Sequence, residues 1–475
     1  MLFSSIVFIF YFLPFVLIGY FALSFSRKLQ NVFLLIASIF FYAWGEVRFL
    51  AILLICIICN YIFGLLIDKF KERRNIAKLI LVAACTVNLG ILFVFKYLNF
   101  VVKNINSLLD QNIILPQIVL PLGISFFTFH AISYIVVVYR GSAKVQKNPI
   151  NLGLYIALFP QLIAGPIIRY TSIEQQIVHR RCTLQKFSVG CCRFITGLAK
   201  KIIIANTMAI VANHVYDLIK ISSLPVTLAW LGSIAYTLQI FFDFSAYSDM
   251  ALGLGLMFGF EFDENFNYPY ISKSISEFWR RWHISLTTWF KDYVYFPLGG
   301  SRVSNKDTMV RNMFIVWLLT GVWHGAEWTF ILWGILNFAV MLIERVILDE
   351  NSGRHKVIKH IYTLLLINFG WVLFRSNDMY EASRFLGNMF GIHSSGFNSS
   401  YTTMFLKEYG MFFILAIIFS TPIAKRCNKL LVEKRFGAFE YILNFTYPFV
   451  LTMLFFISVT YLVKGSYNPF IYFNF

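Results

Sequence analysis

Charge is what this sequence has least of. Asp, Glu, Lys and Arg make up 13% of its 475 residues, where a soluble domain carries about a quarter. That excludes a large water-facing globular domain. With 58% hydrophobic residues, the chain is expected to lie mostly within a bilayer. Cysteine is scarce as well, and its seven positions do not suggest a disulfide framework. Cys56 and Cys59 form a C-x-x-C inside an apolar run, with no histidine or second pair nearby. Thiolates there would have to ionise in hydrocarbon, so neither a zinc nor a redox site is expected. Cys191-Cys192 reads as small-residue packing. Internal repeats and low-complexity tracts are also missing.

The charge that is present is one-sided. Lys and Arg number 41 against 23 acidic residues, a net charge of +18. In a membrane chain this is first a topology signal, because cations gather in cytoplasmic loops; no nucleic-acid partner is implied. At about 20 residues per crossing, the apolar stretches predict roughly ten to thirteen spanning or re-entrant helices in an all-α, polytopic protein. The 53 Phe, 25 Tyr and 10 Trp suit helix packing and interfacial belts.

Residues 1–26 carry no charged side chain, and the first cations are Arg27 and Lys28. That order predicts an extracytoplasmic N-terminus and no cleaved signal peptide. The runs 32–45 and 49–67 follow, the second ending in a basic, cytoplasmic loop at Asp68–Arg74. Pro121, Gly123 and His130 inside the run 113–139 predict a kinked or broken helix lining a cavity. Pro160, Gln161, Gly165 and Pro166 make the 152–168 run a re-entrant segment. Residues 186–201 mix basic and apolar side chains like an interfacial helix.

Four stretches carry candidate chemistry. Asp243 and Asp249 interrupt the long apolar run 224–262; they could pair with an arginine, cap a broken helix or line a wet cavity. Residues 274–295 read as one amphipathic, non-spanning helix with a capping box at Ser274 and Glu277, containing Arg281, Trp282 and His283. His324 and Glu327 stand three residues apart within the stretch 313–346, read as a single crossing, so on a helix they would share a face. An ionisable group at membrane depth is by default a functional hypothesis, against which stands a core histidine satisfied by a carbonyl. Crossings at about 357–374, 403–421 and 438–463 complete the chain. A cytoplasmic loop holding Lys425, Arg426, Lys429, Lys434 and Arg435 separates the last two, which places the C-terminus outside. The closing residues 466–475, with Tyr472, are either an aromatic interfacial anchor or a tail folded back into a cavity.

The motifs together resemble the membrane-bound O-acyltransferases, within them the bacterial alginate O-acetyltransferase branch. The resemblance runs over nearly the whole chain. It is carried by Phe40-Phe41-Tyr42-Ala43-Trp44, Phe159-Pro160-Gln161 with Ala164-Gly165-Pro166, and Phe242-Asp243-Phe244-Ser245. Two histidine motifs complete it, Glu277-Phe278-Trp279-Arg280-Arg281-Trp282-His283 and Gly321-Val322-Trp323-His324-Gly325-Ala326. It implies one membrane domain over 1–475: a ring of tilted helices with re-entrant and interfacial helices around a thin core and tunnel. By that resemblance His324 is the catalytic histidine and His283 the second polar site residue. The tail Asn468-Pro469-Phe470-Ile471-Tyr472-Phe473 looks like the tail motif of that branch. The related teichoic-acid D-alanylation system carries a similar motif on a separate small membrane protein, where the tyrosine is proposed as an acyl relay. By that resemblance the same role is expected of Tyr472. Arg281, Trp282, Asp243 and Glu327 are expected to position donor or catalytic groups. The implied activity is transfer of an acyl group, foremost acetyl, from acetyl-CoA or an acyl-carrier thioester. No metal and no permanently bound cofactor is expected. The acceptor is an extracellular or cell-wall polysaccharide, reached through an extracytoplasmic SGNH-like partner. D-alanyl transfer to teichoic acid is the alternative within the family. A proton-coupled transporter or flippase is the alternative outside it, and the lack of an inverted repeat counts against that one.

Overall fold

A computed structural model describes residues 1–114, 118–301, 303, 305–347, 355–426, 437–465 and 471. These residues are helical or irregular, with no strand among them. Eight described helices are long and apolar enough to cross a membrane, from Arg27–Lys69 to Phe445–Val463. Phe8–Ala22 and Ile124–Arg140 are shorter apolar helices. The chain is a multi-pass, all-α membrane protein. It divides into two compact units: residues 1–194, 248–264 and 288–297 form the first, and 195–247, 265–287 and 298–475 the second.

In the first unit, Arg27–Glu46 and Leu50–Lys69 are separate helices joined by the tight turn Val47–Phe49, close to the predicted boundaries. Phe3, Phe8, Phe12, Phe41 and Phe159 interlock with ring centroids between 5.0 and 6.4 Å. Lipid supplies no hydrophobic drive between helices, so polar side chains must join them. Asn60 and Asn88 do so by exchanging amide hydrogen bonds of 3.0 and 2.9 Å. Buried Arg180 donates to Tyr20 Oη, Phe258 O, Asn31 Oδ1 and Ile177 O.

Several expectations are corrected here. The helix Ile124–Arg140 is unbroken and begins after Gly123, whose left-handed backbone (φ 72°) makes it the N-cap. His130 is fully buried, and its Nε2 accepts from the Ile168 N–H at 3.2 Å, the behaviour of a core histidine. Residues 186–201 are not an interfacial helix: they belong to Leu184–Ile221, 38 residues long and largely buried. The run 152–168 does break, into Pro149–Ala157 and Phe159–Leu162.

In the second unit, the stretch 313–346 is not a single crossing. Lys306–His324 and Trp328–Ile347 are two helices joined by a bend and packed on each other. Gly321 and Gly334 permit this. A Cβ on Gly321 would lie 2.5 Å from Phe330 O, and one on Gly334 2.5 Å from Trp317 O. Only hydrogens allow backbones so close. The stretch 274–295 divides as well, into Ile275–Arg281 and Ile284–Phe290, separated at His283 with φ 45°. Phe278, Trp279, Trp282 and Leu286 are buried, so this is a core element and not a helix lying in the interface. The short helix Met379–Met389 had no sequence expectation. Lys425 and Arg426 are exposed; Lys429, Lys434, Arg435 and Tyr472 lie outside the described residues.

Candidate functional site

The second unit gathers most of the candidate residues, and its helix ends explain how. Lys306–His324 stops at His324 because Gly325 takes an extended backbone. The imidazole of His324 is 4% exposed and is caged by aromatic rings: Trp323, Trp333 and Phe374 have centroids 4.9, 5.1 and 5.1 Å from it. Glu327 falls in the bend after the helix and is exposed. The shared-face expectation for His324 and Glu327 therefore fails: the helix that would have aligned them ends between them.

The second histidine sits at the other break. Ile275–Arg281 is started by Ser274, whose Oγ accepts the Glu277 N–H at 2.9 Å. Glu277 returns a bond to the Lys273 N–H at 2.9 Å, a variant of the predicted capping box. Glu344 then caps the same helix from across the unit: its two oxygens accept the N–H groups of Ile275 and Ser276 at 2.6 and 3.1 Å. Asn337, on the same helix as Glu344, accepts the Trp279 indole N–H at 2.8 Å. The element leading to His283 is thus fastened to the element that follows His324.

His283 is 2% exposed. Its Nδ1 lies 3.2 Å from Asn265 Oδ1, which also accepts from the Ser285 N–H and O–H at 3.1 and 2.9 Å. An oxygen receiving those bonds requires Nδ1 to carry the proton. Nε2 is then the bare, basic nitrogen, and it has no hydrogen-bond partner among the described residues. Burial pushes the imidazolium down to about 3, so the ring is neutral at physiological pH. Phe244 meets it edge-on at 4.6 Å, and Trp323 stands 6.1 Å away. Trp323 therefore touches the rings of both His283 and His324.

The remaining candidates have different surroundings. Arg281 donates to Glu277 Oε1 at 2.9 Å and to Asn267 O at 3.1 Å. Trp282 is packed among Phe266, Phe278 and Trp371, which makes it a wall of the core. Asp243 is 1% exposed and pairs at 2.5 Å with Lys201, itself 3% exposed. Its Oδ2 accepts the backbone N–H of Ile471 at 2.8 Å. Of the pairings left open for the two aspartates, Asp249 takes the arginine, Arg193, at 3.0 Å, and Asp243 takes a lysine.

Sequence reasoning missed Lys201, Asn265, Trp333, Asn337 and Glu344. Lys201 left a trace, since it precedes Ile202-Ile203-Ile204 directly and so belonged to an apolar run. Asn265 and Asn337 left none, because a lone amide carries no periodic signal.

Residues 88–350 match the family model of the membrane-bound O-acyltransferases. A probable alginate O-acetylase of Pseudomonas putida is 47% identical over 396 residues, covering 82% of this chain and 80% of that one. One from Azotobacter vinelandii is 40% identical over 506 aligned positions, covering all of both. A peptidoglycan O-acetyltransferase of Helicobacter pylori is 33% identical, covering 91% of this chain and 88% of that one. With the family model matched over more than half its length and a relative aligned along all of it, the chain belongs to the membrane-bound O-acyltransferases, enzymes that transfer acyl groups to hydroxyls.

Proposed function

We propose that residues 1–475, acting as a single membrane domain with both ends extracytoplasmic, take an acetyl group from a cytoplasmic thioester. Acetyl-CoA is the simplest donor, an acyl-carrier thioester the other. The acetyl group passes across the membrane to an extracytoplasmic SGNH-like partner, which places it on a polysaccharide hydroxyl. The observation that carries this reading is the meeting of His283 and His324 at Trp323 in one helical unit. The names of the relatives support the acceptor class, since alginate and peptidoglycan are both polysaccharides.

The chemistry is a pair of acyl exchanges. The Tyr472 oxygen attacks the thioester carbonyl while His324 takes its proton, and the thiol leaves carrying that proton. A hydroxyl of the partner then attacks the tyrosyl ester and the phenol is restored. A phenol with an ordinary pKa near 10 needs such a base, and a well-placed base contributes about 10²–10⁴-fold. His283, with its bare Nε2, holds the donor. Arg281, at the end of its helix, attracts the donor's phosphates.

The test is the O-acetyl content of extracellular polysaccharide in a deletion strain complemented at matched membrane levels. Native protein is expected to restore acetate, and His324→Ala to leave it at the deletion level. Full restoration by His324→Ala would remove His324 from the chemistry. Full restoration by Tyr472→Phe would remove the relay alone.

A further inference from the structure

We infer that the buried Lys201–Asp243 pair is an anchor for the chain at Ile471, which it recognises through the backbone N–H of that residue and not through a side chain. The inference deepens the relay reading and rests on it only for the role given to Tyr472. Two charges buried in a helical interior are expensive, and well-packed apolar residues of similar volume often hold helices as well or better. The pair therefore calls for a purpose besides packing. The hydrogen bond from Ile471 N to Asp243 Oδ2, 2.8 Å long, supplies one: an apolar pair offers a backbone N–H no acceptor, and a charged acceptor makes the stronger bond.

The surrounding elements fit this use. Lys201 lies in the π-turn Lys200–Ala205, a wide turn of the kind that often marks functional positions. The helix Gly437–Val463 packs against that same turn. Beyond it Gly465 adopts a left-handed backbone, φ 70°, which ends the helix. Five residues then lie between Gly465 and Ile471, and the six steps allow up to about 20 Å of reach. Asp243 is followed by Phe244, whose ring meets His283, so one helix turn addresses both Ile471 and a candidate histidine. Tyr472 is the next residue in the sequence after Ile471. Fixing Ile471 removes much of the search the phenol must make before it reacts. Asp243 is on this reading a positioning residue, and Lys201 holds it.

The experiment uses full-length protein carrying one of four changes: Ile471→Ala, Ile471→Pro, the double change Lys201→Met with Asp243→Leu, and His324→Ala. Two quantities are read: polysaccharide O-acetylation at matched membrane levels, and deuterium exchange of the 466–475 amides in purified protein. Ile471→Ala keeps the N–H and is expected to fall much less than Ile471→Pro in both. Ile471→Pro lacks the N–H, and the double change lacks the acceptor without leaving a lone buried charge. Each is expected to cut acetylation, and to speed exchange of the segment, by about tenfold or more, the worth of a hydrogen bond to a charged group. Native thermal stability in the double change would show that packing was not what the pair provided. The inference is overturned if the double change leaves exchange slow and acetylation native, or if Ile471→Ala falls as far as Ile471→Pro. Because exchange does not depend on activity, His324→Ala should show native exchange whether or not it acetylates. Failure of the acyl-transfer reading is in this way separable from failure of the anchor.

Discussion

His283 shows how a buried imidazole is prepared for one role. Asn265 fixes its tautomer by accepting the Nδ1–H hydrogen bond, and Ser285 fixes Asn265 through two further bonds. The result is a neutral ring with Nε2 bare and pointed by geometry rather than by charge. Replacing Asn265 by Leu removes the acceptor and frees the tautomer. We expect acetylation to fall about 10- to 100-fold, below the full worth of a base, while Asn265→Asp, which keeps an oxygen acceptor at that position, stays closer to native. The buried ring also has a pH consequence. Its folded pKa is depressed to about 3, so the unfolded chain binds the proton first, near the ordinary 6.5. Its contribution to stability is complete above pH 6.5 and is lost as pH falls from there toward 3, by at most about 1.4 kcal/mol per pH unit. Unfolding midpoints at pH 7 and pH 5 should differ less in His283→Gln than in native protein. An equal difference would show that the ring does not titrate as its burial demands.

Among the elements, the hairpin of Lys306–His324 and Trp328–Ile347 organises the site. Its glycine contacts set the spacing, and its second helix carries Asn337 and Glu344, which fasten the His283 element. Gly321→Val places methyl groups where Phe330 O already lies, given the 2.5 Å approach of a Cβ. Overpacking of this kind costs about 1–3 kcal/mol, read as a lower thermal midpoint and a lower yield of folded protein. Glu344→Ala leaves two helix N–H groups without their acceptors. A lost cap costs about 0.5–2 kcal/mol, and acetylation should fall further than stability because the His283 element loses its register. Glu344→Gln keeps one oxygen acceptor and should retain more of both. Equal loss in Gln and Ala variants would mean that the carboxylate's charge is what matters.

For the whole molecule, orientation decides which face meets the thioester. The basic loop Asp68–Arg74 predicts a cytoplasmic position. An alkaline phosphatase fused after Glu72 should therefore be inactive, as should one fused after Lys28, since the first cations, Arg27 and Lys28, follow the first apolar helix and hold its end inside; one fused after Glu46, in the turn between the next two helices, should be active. Activity after Glu72 would reverse the proposed direction of transfer.

Much of this could be read in the sequence, because a bilayer makes simple demands. Any spanning segment must satisfy its backbone internally and present apolar side chains, so composition and run length gave the all-α, multi-pass class and most helix positions. The two histidine motifs were visible as ionisable residues in apolar context. Tertiary structure decided what those residues do. Whether 313–346 is one helix or two depends on glycines meeting backbone oxygens from another helix, a contact with no local signature. The same holds for the partners of His283, for the capping by Glu344 and for the choice of Lys201 by Asp243. Each joins residues far apart in the chain, and a pairing across space leaves no period along the sequence.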